Sequence, residues 1–353
     1  MHPVLAIIRN FCLLSVLILT AQSALAGGHR VGVLYWSMNI PGQVAMRQGL
    51  EAEAARLNRE QEAQGRSAIV LESRVAGDGE AGIENQISQM RELIKARVDV
   101  LIVQPTDNAA LSGPLREANA VGIPVVAYDQ YIDGGVLAAF RTSDNYQAGY
   151  LDGEYLASRF PAEREIRLVL VEYPHVSSTV ERVNGFLDAL SQAGRRHKLL
   201  KTYQAVEPVG GRQAAAAILR DFPTPGSIDA IFTVNDSGGL PVVQGLSEAG
   251  RKEILVATVD GDPASVENIR DGRLTVIDSA QFCGPLGAAA MKAAWTILEG
   301  GQPPRHALTP VFPITRETLA IYPGWLGPVP PSFTKPWSSR EPRWDGSLKV
   351  VSP

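Results

Sequence analysis

Three hydrogen-bonding side chains stand at matched places along this chain of 353 residues: Asp129 after the run Val125-Val126-Ala127-Tyr128, Asn235 after Ala230 to Val234, and Asp260 after Leu255 to Val259. Each run is short, apolar and largely β-branched, which predicts a buried strand with the polar group at its carboxyl end. Carboxylates accept hydrogen bonds, and an asparagine amide both donates and accepts. Such a set suits a small molecule that carries hydroxyl groups. The plainer alternative is that an Asp or Asn after a strand merely caps the helix that follows.

Residues that could break or make bonds are not grouped in the same way. His175, His197 and His306 stand in no metal-binding spacing, and Cys283 has no identifiable His partner. Neither a Gly-x-Ser-x-Gly elbow nor a phosphate-cradling glycine loop is present. Asp260-Gly261-Asp262 begins like a calcium loop but lacks the further oxygen ligands. The sequence therefore predicts a binding protein, with no enzymatic activity, no cofactor and no metal.

The elements that must position these groups alternate regularly. Val31 to Tyr35 reads as a strand, and Met46, Leu50, Ala54 and Leu57 fall at helical spacing after it. The alternation continues through Ile69 to Leu71, a helix with Ile83, Ile87, Met90 and Ile94 on one face, Val100 to Val103, and a helix near Leu111 to Ala120. A second series runs from Arg167 to Val171, through helices near Val180 to Gln192, Gln213 to Leu219 and Val242 to Ala249, to the strand ending at Val259. Strand-helix alternation at this length implies βαβ units and parallel sheets covered on both faces. Val98 to Asp107 also echoes Ile228 to Asp236, and each copy leads through a helix to a strand ending in Asp. Two related halves are expected, with ligand bound beyond the carboxyl ends of their strands.

Arg9, an apolar run from Phe11 to Leu19 and the triplet Ala24-Leu25-Ala26 form an export signal, predicted to occupy residues 1–26 and to be cleaved after Ala26. The run is shorter than the ~20 residues a membrane-spanning helix needs. Cys12 lies at the start of the run, where a lipid-modified cysteine would not sit. About 327 residues remain, with 32 basic and 37 acidic side chains, a balance that argues against nucleic acid as a partner. A single cysteine, Cys283, survives cleavage, so packing rather than a disulfide must hold the fold. From Pro323 onward seven prolines and three tryptophans (Trp325, Trp337, Trp344) predict an extended strap laid across the body of the protein. A docking surface for a membrane partner is the alternative use of such a tail.

Val31 to Ala52, Pro105-Thr106-Asp107, Pro124 to Asp129, Ser143-Asp144-Asn145 with Gly149, Arg182 to Phe186, Asn235-Asp236, Asp260-Gly261 and Ala280-Gln281 follow one another in a familiar order. In these segments, and over nearly all of residues 29 to 321, the chain resembles the ribose-type periplasmic sugar-binding proteins, whose fold is shared by the ligand-binding cores of the lactose-repressor family. The resemblance implies an α/β fold of two Rossmann-like lobes with parallel sheets and a ligand cleft between them. Residues 29–142 with 282–310 would form one lobe and 143–281 with 311–326 the other, leaving 327–353 as the strap. It further implies a monomer in the periplasm that closes on a sugar or polyol and is read by the membrane permease of an ABC importer, or, as the alternative, a sensory receptor that delivers a bound sugar or furanosyl autoinducer to a sensor kinase or chemoreceptor. Where a repressor carries a helix-turn-helix this chain carries an export signal, which sets that relative aside.

Carried over position by position, the resemblance points to Arg182, Asn235, Asp260 and Gln281 as ligand contacts, with Asp129 and Gln130 where the family has an Asp-Arg pair. The first loop departs from the pattern. Gly42 and Gln43 stand where two aromatics would sandwich a sugar ring, and Ile40 replaces a contact asparagine. Trp36, Asn39 and Gln43 are the expected contacts from this segment, Trp36 because an aromatic face stacks on the apolar side of a sugar.

Overall fold

The computed structural model describes residues 28–338 and 340–351; the export signal, its cleavage after Ala26 and Cys12 lie outside the described residues. The chain runs β1 (His29–Tyr35), α1 (Pro41–Ala63), β2 (Ile69–Val75), α2 (Gly79–Lys95), β3 (Val100–Val103), α3 (Ser112–Ala120), β4 (Val125–Tyr128) and β5 (Ala139–Ser143). It continues with α4 (Asn145–Ser158), β6 (Ile166–Glu172), α5 (Ser177–Gln192), β7 (His197–Gln204), α6 (Pro208–Asp221), β8 (Ala230–Thr233), α7 (Asp236–Glu248), β9 (Leu255–Asp260), α8 (Pro263–Asp271) and β10 (Thr275–Ala280). Then come α9 (Cys283–Leu298), β11 (His306–Thr309), β12 (Phe312–Ile314), β13 (Phe333–Thr334), β14 (Arg343–Trp344) and β15 (Lys349–Val351).

The strands form two large sheets, one in each lobe. The first has the order β15-β11-β5-β4-β3-β1-β2 and the second β12-β10-β9-β8-β6-β7. All neighbours are parallel except β15 on β11 and β12 on β10. Helices cover both faces, so the central strands bury every side chain: β3 reads Val-Leu-Ile-Val, β4 Val-Val-Ala-Tyr and β8 Ala-Ile-Phe-Thr, all buried. The first lobe has apolar clusters on both sides of its sheet, around Met46, Leu50 and Met291 and around Met90, Leu101 and Leu115. In the second lobe Phe186 of α5 stacks on Phe232 of β8 with ring centroids 4.3 Å apart.

Three segments carry the chain between the sheets: β5 into α4, β10 into α9, and β11 into β12. The tail adds further passages. Tyr322 stacks on Phe312 of the second lobe, whereas Trp325 packs on the apolar cluster of the first. Phe333 and Trp344 return to Phe312, and the Trp344 indole donates to the Val311 carbonyl at 2.8 Å. Lys335 is buried against Glu154 of α4 at 2.6 Å, and β15 then closes the open edge of the first sheet. Proline cannot continue a helix or a central ladder, so the strap is extended and its fixation comes from these side chains.

Candidate functional site

The facing ends of the two sheets enclose a cavity lined by Trp36, Gln43, Asp129, Gln130, Arg182, Asn235, Asp260 and Gln281, eight of the nine contacts expected from the sequence. Trp36 follows β1, Asp129 follows β4, Gln281 follows β10 and Asp260 ends β9, so strand ends supply four of these eight. Arg182 enters from α5 and Gln43 from α1. Asn39 does not join them. The Ser37 hydroxyl accepts the Asn39 N–H at 2.9 Å, which turns residues 38–39 outward, and the Asn39 amide donates to Asp78 at 2.7 Å in an exposed position. Ile40 is buried in its place and forms part of the wall.

The centre of the site is an ion pair from the second lobe. Arg182 donates through Nη1 to Asp260 Oδ1 at 3.1 Å and to the Val234 carbonyl at 2.7 Å, and through Nε to Asn145 Oδ1 at 3.0 Å. Gln281 donates to the same Asp260 oxygen at 2.7 Å while its own oxygen accepts from Ser143 at 2.7 Å, which links two of the segments that pass between lobes. Both ends of the Gln281 amide are thus engaged, and its first task is to aim Asp260. Asn235 is engaged likewise: it accepts from Gly238 N–H at 3.1 Å, capping α7, and donates to the Val206 carbonyl at 2.9 Å. Asp262 caps α8 by accepting from Ala264 N–H, which accounts for the second aspartate of the calcium-like triplet.

Asp129 comes from the first lobe. Gln104 donates to its Oδ2 at 3.0 Å and, through Oε1, accepts the Trp36 N–H at 3.3 Å. Asp129 and Asp260 share an unusual backbone state, with φ of 65° and 134°, in the region that favours glycine. A non-glycine residue is held there at a cost on the order of 1–3 kcal/mol, and such strain gathers where side chains must be aimed. At Asp260 the restraint is visible: Gly261 N–H donates to Asp278 at 2.9 Å and Asp262 N–H donates to Asp236 at 2.7 Å. Both of those carboxyls are fully buried, and burial pushes them well above the usual carboxylate range, helped by the charge of Asp260 on each, of Asp278 on Asp236 and of Asp152 on Asp278. Burial raises Asp129 as well, against the pull of Arg182, and raises Asp260 to about 6 despite Arg182 and Gln281.

The lobes are closed over this floor. Gln130 accepts the Ser178 N–H at 3.2 Å, and Tyr131 N–H donates to the Ser177 hydroxyl at 3.1 Å, both from one lobe to the other. Trp36 meets Val176, Val206 and Tyr173 across the gap, its ring centroid 6.5 Å from that of Tyr173. Trp36 thus meets second-lobe side chains, and among the described residues it is the only aromatic on the cavity wall. Ser178, Thr179, Val176 and Val206 also line the cavity and were not foreseen, because they are brought there by closure and no local pattern marks them.

Comparison with known proteins places this architecture. Residues 31–302 match a family model described as periplasmic binding protein domain. The ribose import binding protein RbsB of Bacillus subtilis is 28% identical over 272 residues, covering 76% of this chain and 82% of that protein. A D-ribose/D-allose-binding protein of Pseudomonas aeruginosa is 30% identical over 237 residues, 64% of this chain and 71% of its own. Among solved structures, the Caulobacter myo-inositol binding protein bound to myo-inositol superposes with a TM-score of 0.72 at 25% identity, covering 84% of this chain and 96% of that one. A periplasmic solute binding protein from Actinobacillus succinogenes with bound D-allose gives 0.69 at 23% identity, over 83% and 99% of the two chains. The match to the family runs through both lobes and every segment that frames the cavity, and this chain belongs to the periplasmic binding proteins, which bind solutes and are not enzymes.

Proposed function

We propose that this protein captures a small, neutral, hydroxyl-rich ligand, a sugar or polyol, in the periplasm and delivers it, as a closed monomer, to the permease of an ABC importer. The observation that carries this reading is the enclosure of Asp129 from one lobe and the Arg182–Asp260 pair from the other around one cavity. A hydroxyl donates to a carboxylate and accepts from a guanidinium, so a ligand touching both walls favours the closed state over the open one by those contacts. The named relatives that bind ribose, allose or inositol support the ligand class, and the import role of the curated relatives supports the permease as partner. Residues 1–26 serve as the export signal in this reading. No helix among the described residues is long and apolar enough to cross a membrane.

A melting-temperature screen of residues 27–353 against sugars and polyols tests the class, since ligand at ~100 times its dissociation constant stabilises by about 2.7 kcal/mol. A response to nucleotides or peptides alone would overturn the reading. For the ligand so identified, Asp260→Ala is expected to weaken binding at least tenfold in calorimetry, because truncation strands Arg182 without water.

Acidity supplies a second check. With the Asp260 carboxyl at about 6, roughly one-tenth of it is ionised at pH 5, so affinity is expected to fall about tenfold between pH 7.5 and pH 5. The stability contribution of Asp260 runs the other way. Its folded value lies above that of the unfolded chain, ~3.8, so the ligand-free fold takes up a proton between the two and gains from acidification in that window. Titrations at the two pH values giving equal dissociation constants would remove Asp260 from the ligand.

A further inference from the structure

We infer that the tail from Tyr322 to Val351 is a clasp on the hinge, which holds the two lobes near the closed angle and narrows the opening of the ligand-free protein. The tail lies beyond residue 302, where the family match ends, and no described residue of it lines the ligand cavity.

The tail changes lobes three times. Tyr322 stacks on Phe312 and donates to the Gly261 carbonyl at 3.3 Å, both in the second lobe; at Trp325 the main-chain carbonyl accepts from Gly284 N–H at 3.2 Å, where α9 begins in the first. Phe333 and Trp344 return to Phe312, and Lys349 to Val351 then pair with β11 of the first lobe. A tail that merely covered apolar surface could stay on one lobe.

These anchors also fall on all three interlobe passages. Trp325 meets the passage from β10 into α9 at Gly284, and the Trp344 indole meets the one from β11 into β12 at the Val311 carbonyl, 2.8 Å away. Lys349 meets the third, from β5 into α4, by donating to Asp144 Oδ2 at 2.5 Å. Asp144 already joins two passages. Its N–H donates to the Thr309 carbonyl at 2.8 Å, and its other carboxylate oxygen caps α4 by accepting the Gln147 N–H at 3.1 Å.

Reach turns these contacts into a restraint. Tyr322 and Trp325 are three positions apart and Trp344 and Lys349 five, so these crossings span at most roughly 11 Å and 18 Å when fully extended. The second is drawn in further by the turn in which Asp345 accepts the Ser347 N–H at 3.0 Å. Side chains packed on both lobes keep the crossings from sliding, and a hinge turns only as far as the segments crossing it can bend. Strands β2 and β7 form the sheet edges farthest from the tail, so a change of hinge angle shows most there.

The test releases the last crossing. Lys349→Glu with Val350→Pro sets a carboxylate against Asp144 and puts a residue without N–H into the three-residue β15. Lys349 and Val350 are 57% and 58% exposed, so neither core loses a packed side chain. Spin labels on Glu80→Cys and Val209→Cys, exposed at the starts of α2 and α6 just beyond β2 and β7, report the distance between the lips by pulsed EPR in ligand-free residues 27–353; the native Cys283 is buried. Release is expected to lengthen the mean distance by about 5 Å or more and to broaden its distribution. Lys349→Arg with Val350→Thr, which keeps both the charge and the strand, is expected to leave the distance at its native value. An unchanged or shortened distance in the released variant would overturn the clasp. Should that variant fail to fold, Lys349→Gln carries the same test: a smaller lengthening supports the clasp, and none overturns it. Because the readout needs no ligand, its failure would leave the proposed function standing.

Discussion

Arg182→Met is expected to abolish ligand binding, with a loss of at least 100-fold, and to destabilise the free protein by about 3–5 kcal/mol. The side chain is 3% exposed and its guanidinium serves three acceptors at once: Asn145, the Val234 carbonyl and Asp260. Methionine fills the same space but leaves Asp260 buried with only Gln281 beside it, and removes the charge that opposes the burial of Asp129. Arg182→Lys is expected to recover little, since one compact ammonium cannot span the fork that reaches Asn145 and Val234 together. The double variant Arg182→Met with Asp260→Asn separates the two effects. It neutralises the stranded carboxylate, so urea unfolding should return most of the stability while calorimetry still finds no binding. A single variant that kept both its unfolding midpoint and its affinity would show that the ion pair is a detail of packing rather than the centre of the site.

How much of this site could be read from the sequence follows from which interactions are local. The alternation of apolar runs and helical faces located most elements from β1 to β9, and the echo between the halves placed Asp129 and Asp260 at strand ends facing one cavity. The pattern did not mark β5, β10, α4 or α9. Strand β5 reads Ala-Phe-Arg-Thr-Ser and is buried throughout, with Arg141 donating to the Phe140 and Pro304 carbonyls, so its burial has no apolar signature. Helix α9 is apolar over most of its length because the first sheet and α1 cover it on different sides, and one-sided periodicity is lost when two sides are buried. Ser143 and Asn145 belong to segments whose order suggested the family, and Gln104 to the echo between the halves, but the bonds they make to Gln281, Arg182 and Asp129 span distant parts of the chain. Asn39 misled for the opposite reason: its neighbour Ser37 redirects the backbone within two residues, an outcome that side-chain type alone does not announce.

Gly149→Val is expected to destabilise the protein by about 3 kcal/mol and to weaken ligand binding in whatever fraction still folds. Helices α4 and α5 pack backbone to backbone, and a Cβ on Gly149 would stand 1.8 Å from the Arg182 carbonyl oxygen. The reciprocal contact is as close, since a Cβ on Gly185 would stand 2.0 Å from the carbonyl oxygen of Tyr146. No rotamer relieves a collision with main chain, so the helices must part, and α5 would carry Arg182 away from Asn145 and Asp260. The first lobe repeats the device between α1 and α9, where a Cβ on Gly287 would stand 1.8 Å from the Met46 carbonyl oxygen. In each lobe, therefore, the helix that enters from an interlobe passage locks by glycine onto the helix that presents a cavity residue, Arg182 on α5 and Gln43 on α1. Gly113→Ala is the matched control. It lies in α3, its nearest neighbour would be the Arg91 side chain at 3.8 Å, and the better helix propensity of alanine should leave stability unchanged or raised by ~0.5–1 kcal/mol. If urea unfolding gave the two variants the same midpoint, close helix contact could not be what sets the position of Arg182. If Gly149→Val alone lost both stability and affinity, the glycine contact would be established as part of the binding apparatus at one remove from the ligand.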